Sequence, residues 1–113
     1  MIYIQMETVV PVPHTFLSLD QMLASEQRLV VLDFFAEWCG PCKRISPEIS
    51  KLQTTYFDRI VVQKIDVDQC DDVASHYKIT SMPTFLFIKN NTVLDTVIGA
   101  KLELIHQKIA VYI

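Results

Sequence analysis

Glycine is almost absent from this chain, which has two in 113 residues, at Gly40 and Gly99. No Ser- or Pro-rich tract accompanies either one, so no flexible linker divides the sequence, and a single domain over residues 1–113 is expected. Glycine-rich phosphate loops are missing with them, and no bound cofactor is expected. A basic excess is lacking too. Ten Lys and Arg stand against thirteen Asp and Glu, a formal charge of -3 with the signs interspersed. Neither a phosphate backbone nor an anionic bilayer meets a favourable field, which sets aside nucleic acid and membrane as partners. No apolar run approaches the roughly 18 residues needed to cross a bilayer. The first residues, Met1 to Glu7, carry neither the basic n-region of a secretory leader nor the arginines of a transit peptide, and a cytoplasmic protein is expected. Met1 to Gln5 add little to the pattern that follows, which makes Met6 a second candidate start, and residues 1–8 are a candidate extra amino-terminal segment.

What is present is a core. Half of the residues are hydrophobic, which excludes disorder and suffices for one small domain. Val9 to Val12 read as a short strand limited by Pro11 and Pro13, and Phe16, Leu17, Leu19, Met22 and Leu23 recur at helical spacing. Leu29 to Ala36 is an almost continuous apolar run, the pattern of a strand covered on both faces in the middle of a sheet. Ile45, Ile49, Leu52 and Tyr56 form one stripe of a helix that opens at Pro41 and Cys42 and should bend at Pro47. Ile60 to Val67 and Thr84 to Ile88 are further strands, with a short helix at Val73 to Tyr77 between them. Asn90-Asn91 suits a tight turn, because asparagine tolerates positive φ, and Thr92 to Ile98 then returns antiparallel. Leu102, Ile105 and Ile109 close with an amphipathic helix. The order βαβαβαββα predicts an α/β protein with a central mixed sheet and helices on both faces.

The stretch Glu37-Trp38-Cys39-Gly40-Pro41-Cys42-Lys43 places two of the three cysteines one helical turn apart. A metal clip, a structural staple and a reactive dithiol are the readings. Zinc needs about four ligands, and only Cys70 and three scattered histidines, His14, His76 and His106, remain to supply them, so no metal is expected. Staples are rare in a reducing compartment. A strand that runs straight into a cysteine at a helix start sets the sulfur among unpaired N–H groups at the positive end of the dipole. Cys39 is therefore expected to be the acidic, accessible thiol, and Cys42 the more buried partner that resolves a mixed disulfide. Gly40 admits a substrate backbone, and Pro41 stiffens a position that needs no donor. Asp33 lies inside the apolar strand, either at an outward-facing edge or buried with a raised pKa, where it can exchange the proton of Cys42. Lys64, in the next run, either tunes Asp33 or is an ordinary strand lysine.

These residues resemble the thioredoxin family, and its animal members most. Trp38-Cys39-Gly40-Pro41-Cys42-Lys43 is similar to the active-site motif unaltered. Val31-Leu32-Asp33-Phe34 resembles the strand with the buried aspartate, Lys64 stands where a lysine is common, Met82-Pro83-Thr84-Phe85 is similar to the cis-proline segment, and Ile98-Gly99-Ala100 to the glycine turn before the last helix. The resemblance runs from about Val9 to the carboxyl end, with Asp66-Val67-Asp68, Cys70 and Asp72-Val73-Ala74-Ser75 included. It implies a thioredoxin fold and a protein-disulfide reductase serving electron transport and cell redox homeostasis, in which Cys39 attacks, Cys42 resolves and Asp33 assists proton transfer. Pro83 is implied to be cis, and Met82 to pair its backbone with an extended substrate. Trp38, Gly40, Pro41, Gly99 and Ala100 are implied to form the docking surface. Thioredoxin reductase, drawing on NADPH, and disulfide proteins such as peroxiredoxins are the implied partners of a mostly monomeric protein. Phe35 departs from the family's frequent second tryptophan, and Asn90-Asn91 from its glycine-containing turn. Tyr77 and Ser81 stand where some animal members have further cysteines, which leaves Cys70 as either a small core residue or a regulatory thiol.

Overall fold

The computed structural model describes residues 15–113. The strand expected at 9–12, His14 and the segment at 1–8 lie outside them. Thr15 starts the first helix, α1 (Phe16–Ser25), with a reciprocal cap: its Oγ1 accepts from the Ser18 amide at 3.1 Å while Ser18 Oγ accepts from the Thr15 amide at 3.4 Å. Two otherwise orphaned donors are satisfied, and the helix enters at the angle that buries Leu19 and Leu23, one turn apart. β1 (Leu29–Phe35) follows and is buried along all but its last residue, as its continuous apolar run requires. Next come α2 (Gly40–Tyr56), β2 (Ile60–Asp66), α3 (Asp71–His76), β3 (Thr84–Lys89), β4 (Thr92–Ile98) and α4 (Leu102–Tyr112). From the second element onward this is the predicted order. α2 continues through Pro47, which lies inside it.

The sheet order is β2-β1-β3-β4, with β1 parallel to β2 and antiparallel to β3. Alternation along β1 then divides the molecule into two cores. Leu29 and Val31 join Ile45, Ile49 and Leu52 of α2 and Ile105 and Ile109 of α4. Val30, Leu32 and Phe34 join Leu19 and Leu23 of α1 and Val73 of α3. Each fully buried aliphatic side chain contributes about 1.5–3 kcal/mol, so the register of β1 is fixed from both sides, and a one-residue slip would exchange the two sets. Asp33 shares the parity of Leu29 and Val31 and therefore faces α2.

Asn90 and Asn91 take φ of 53° and 59°, the left-handed pair that lets a two-residue turn follow the twist of β3 and β4. Asn91 Nδ2 also donates to Asp20 Oδ1 at 2.9 Å, tying the hairpin to α1. Asn91→Ala should lower unfolding free energy by about 1–2 kcal/mol in urea titrations, the combined cost of a left-handed alanine and a lost hydrogen bond. Asn91→Gly should recover the conformational part only.

Candidate functional site

Four residues after β1, the chain turns into α2 through Cys39, whose extended backbone (φ -87°, ψ 112°) makes it the N-cap. Its Sγ accepts from the Cys42 amide at 3.2 Å, taking up one of the four donors that a helix start leaves open. Cys39 and Cys42 form a disulfide with their Cα atoms 5.3 Å apart. Both residues are 5% exposed and pack with Ala36, Phe35, Val67 and Met82. This corrects the expectation of an accessible Cys39 beside a buried Cys42. With the disulfide closed, the two residues are equally covered, and any difference between them as nucleophiles comes from orientation and from the helix start at Cys39. A thiolate formed there meets the helix dipole and the Cys42 amide, both of which favour the charged form.

Trp38 stands out from the surface, 67% exposed, and is held there because Nε1 donates to Asp68 Oδ2 at 2.9 Å. Asp68 is in turn set by its own amide, which donates to Asp66 Oδ1 at 2.9 Å, and by the Val67 amide, which donates to the Phe35 carbonyl at 2.9 Å. The segment after β2 is thus sewn to the segment after β1. Asp68 was singled out by the sequence only as part of a resemblance. Its role as the indole's anchor depends on two strand ends being parallel neighbours, which spacing along one strand does not reveal.

On the other side of the disulfide, the Met82–Pro83 peptide is cis, as the resemblance implied. Met82 packs against the cysteine cluster, and the Pro83 carbonyl accepts from the Gly99 amide at 2.8 Å. Gly99 has φ of +101°, a conformation that a side chain rarely adopts. The Gly99–Ala100 turn is thereby fastened beside Pro83, one residue from the Met82 that packs on the cysteine pair.

Behind the disulfide is a cavity of about 480 Å³, lined by Asp33, Cys42, Lys43, Ser46, Lys64 and neighbouring residues. Asp33 is 3% exposed, and its Oδ1 has no hydrogen-bond partner among the described residues. Burial pushes its carboxyl up from an ordinary 3.8 to about 6, with the Lys64 charge pulling modestly the other way. Lys64 is the cross-strand partner of Asp33 in the β1–β2 register, but its Nζ donates to Ser46 Oγ at 2.7 Å. Ser46 escaped the sequence reading, although its spacing four residues after Cys42 sets both on one face of α2. Asp33 and Cys42 thus line one cavity, the carboxyl with a raised pKa and with its Oδ1 lacking a hydrogen-bond partner among the described residues.

Cys70 is elsewhere. It is 1% exposed and packs with Val73 and Phe34 in the core on the α1 and α3 side. Burial first, then the charges of Asp66 and Asp72, push its thiol up, which lowers its reactive thiolate fraction. His76 stacks on Phe16 with ring centroids 3.8 Å apart, and His106 Nδ1 lies 2.9 Å from Tyr56 Oη. The ring partners of both histidines, Phe16, Tyr77 and Tyr56, lie outside the cysteine pair's cluster.

Residues 10–111 match the family model described as Thioredoxin. Thioredoxin-T of Drosophila melanogaster is 48% identical over 79 residues, 70% of this chain and 50% of that protein, so the chain spans half the length of that relative. Thioredoxin 1 of Plasmodium falciparum is 46% identical over 90 residues, 80% of this chain and 86% of that one. The X-ray structure of Fasciola hepatica thioredoxin superposes with a TM-score of 0.85 at 36% identity, covering 88% of this chain and 96% of that one.

The Asp33 shift has a consequence for stability. Between its unfolded value of 3.8 and its folded value of about 6, the folded protein holds a proton that the unfolded chain has released. Stability therefore falls as pH rises through this window and stays reduced above it. Asp33→Asn removes the loss: urea unfolding of the oxidised protein at pH 7 should show a gain of about 2–3 kcal/mol. Near pH 3.5 the gain should shrink towards zero.

Proposed function

We propose that this chain, which belongs to the thioredoxin family of dithiol-disulfide oxidoreductases, reduces protein disulfides in the cytoplasm through the following steps. The observation that carries the reading is the Cys39–Cys42 disulfide at a helix N-cap, with the buried Asp33, whose Oδ1 has no hydrogen-bond partner among the described residues, lining the cavity behind it. In the reduced protein the Cys39 thiolate attacks one sulfur of a substrate disulfide. A Cys39–substrate bond forms, the substrate bond breaks, and the departing sulfur leaves as a thiolate. Cys42 then gives its proton to Asp33, directly or through water, and attacks Cys39 Sγ. The Cys39–Cys42 bond forms, the mixed disulfide breaks, and the second substrate sulfur leaves and collects a proton. Two electrons pass to the substrate and the protein is left oxidised. At pH 7 the Asp33 carboxyl, with a value of about 6, is mostly ionised and close enough to neutrality to be a useful base.

Trp38, Gly40, Pro41, Met82, Gly99 and Ala100 form the docking surface, and the Met82 backbone adds an extended substrate segment by strand pairing. Pro83 shapes this edge. No cofactor is held. Thioredoxin reductase, with electrons from NADPH, restores the dithiol, and disulfide proteins of the peroxiredoxin kind are the substrates of a protein that is mostly a monomer.

Insulin disulfide reduction, driven by NADPH and thioredoxin reductase, tests the reading. Wild type should turn over, and Cys39→Ser and Cys42→Ser should both be inactive. Only Cys42→Ser should accumulate a substrate adduct, because it can attack and cannot resolve. Asp33→Asn should slow the resolution step by about a hundredfold and leave the initial attack close to wild type. A wild type without turnover would make the chain a binding module on the same fold.

A further inference from the structure

We propose that Ser46 is a positioning residue whose hydroxyl holds the Lys64 ammonium against α2 and away from the Asp33 carboxyl, which keeps Asp33 basic enough to take the Cys42 proton. The link to catalysis rests on the proton-transfer role of Asp33 argued above; the positioning itself rests on geometry. Asp33 and Lys64 are cross-strand neighbours on β1 and β2, placed where an ion pair would be expected. Among the described residues none joins them: Lys64 Nζ goes to Ser46 Oγ at 2.7 Å, and Asp33 Oδ1 is left without a partner. All three side chains line the one cavity behind the disulfide.

The choice of acceptor decides the chemistry. An ammonium in contact with a carboxylate lowers its pKa by about 1–3 units, and a base weakened to that degree would no longer draw a proton from a thiol. A neutral hydroxyl satisfies the ammonium without giving up its charge, so Lys64 remains near Asp33 as a moderating charge and not as a partner. The other groups that face Asp33 are few. Cys42 and Lys43 approach from α2 and Glu37 from the segment after β1, while its cross-strand neighbour on β3 is the apolar Phe85. Lys64 is therefore the cation best placed to collapse onto Asp33, and Ser46 is the group that prevents it.

The side-chain carboxyl of Asp33, followed by ¹³C NMR across pH in the oxidised protein, tests this without any need for turnover. In Ser46→Ala the released ammonium should pair with Asp33 and lower its midpoint by about one unit or more. Ser46→Thr, which keeps the hydroxyl, should titrate as wild type does. Lys64→Met should raise the midpoint, and Ser46→Ala combined with Lys64→Met should match Lys64→Met alone. An unchanged or raised midpoint in Ser46→Ala would overturn the proposal, as would a double variant that still fell below Lys64→Met, because Ser46 would then act without Lys64. Insulin reduction by the wild type is scored separately: its absence would remove the catalytic reading of Asp33 and leave the titration result standing.

Discussion

A carboxyl group buried in the middle of a central strand is the constraint from which the rest of this structure follows. Asp33 is enclosed by β2 on one side, β3 on the other and α2 above, and burial of its charged form costs free energy that an asparagine would not. The fold tolerates that cost because both cores hold β1 in register, with Leu29 and Val31 on one face and Val30, Leu32 and Phe34 on the other. The strand cannot rotate or slip to bring Asp33 to water without exposing one of these sets. Apolar packing thus offsets the electrostatic cost of enclosing this carboxyl, and that enclosure moves it up to about 6.

The same strand delivers the cysteines. β1 ends at Phe35, and its carbonyl accepts from Val67, so the segment beyond it is pinned before α2 begins. Trp38 to Asp68, Phe35 to Val67 and Gly99 to Pro83 are three links between segments distant in sequence, and each fastens one wall of the site to a neighbouring strand end. The disulfide consequently sits among rigid supports. For the docking proposed at this surface, a shape set in advance reduces the ordering cost.

Much of this was legible in the residues. The central strand announced itself by an unbroken apolar run, the hairpin by Asn90-Asn91, and the reactive pair by its place between a strand and a helix. What was not legible depends on which strand lies beside which. Asp68 anchors Trp38 only because β1 and β2 are parallel neighbours, and Ser46 meets Lys64 only because α2 packs over the face of the sheet to which Asp33 and Lys64 belong. The equal cover of Cys39 and Cys42 was missed for another reason. Position along a helix foretells access to an open thiol, whereas a closed disulfide draws both sulfurs into one cluster with Ala36 and Met82.

The polar groups of the cavity behind the disulfide show how far the fold dictates their placement. Parity along β1 turns Asp33 toward α2, and the parallel register with β2 puts Lys64 opposite it. Helical spacing from Cys42 carries Ser46 to the same cavity. A cation at the Lys64 position would, in a low-dielectric pocket, be drawn to an anion beside it, and Asp33 is its cross-strand partner. Lys64 Nζ donates instead to Ser46 Oγ at 2.7 Å, a neutral acceptor that satisfies the ammonium without pairing it with the carboxyl. The two groups are thereby kept apart, which is the arrangement that the proposed role of Asp33 as a base for Cys42 requires, and the hydroxyl of one helical serine is what takes up the ammonium.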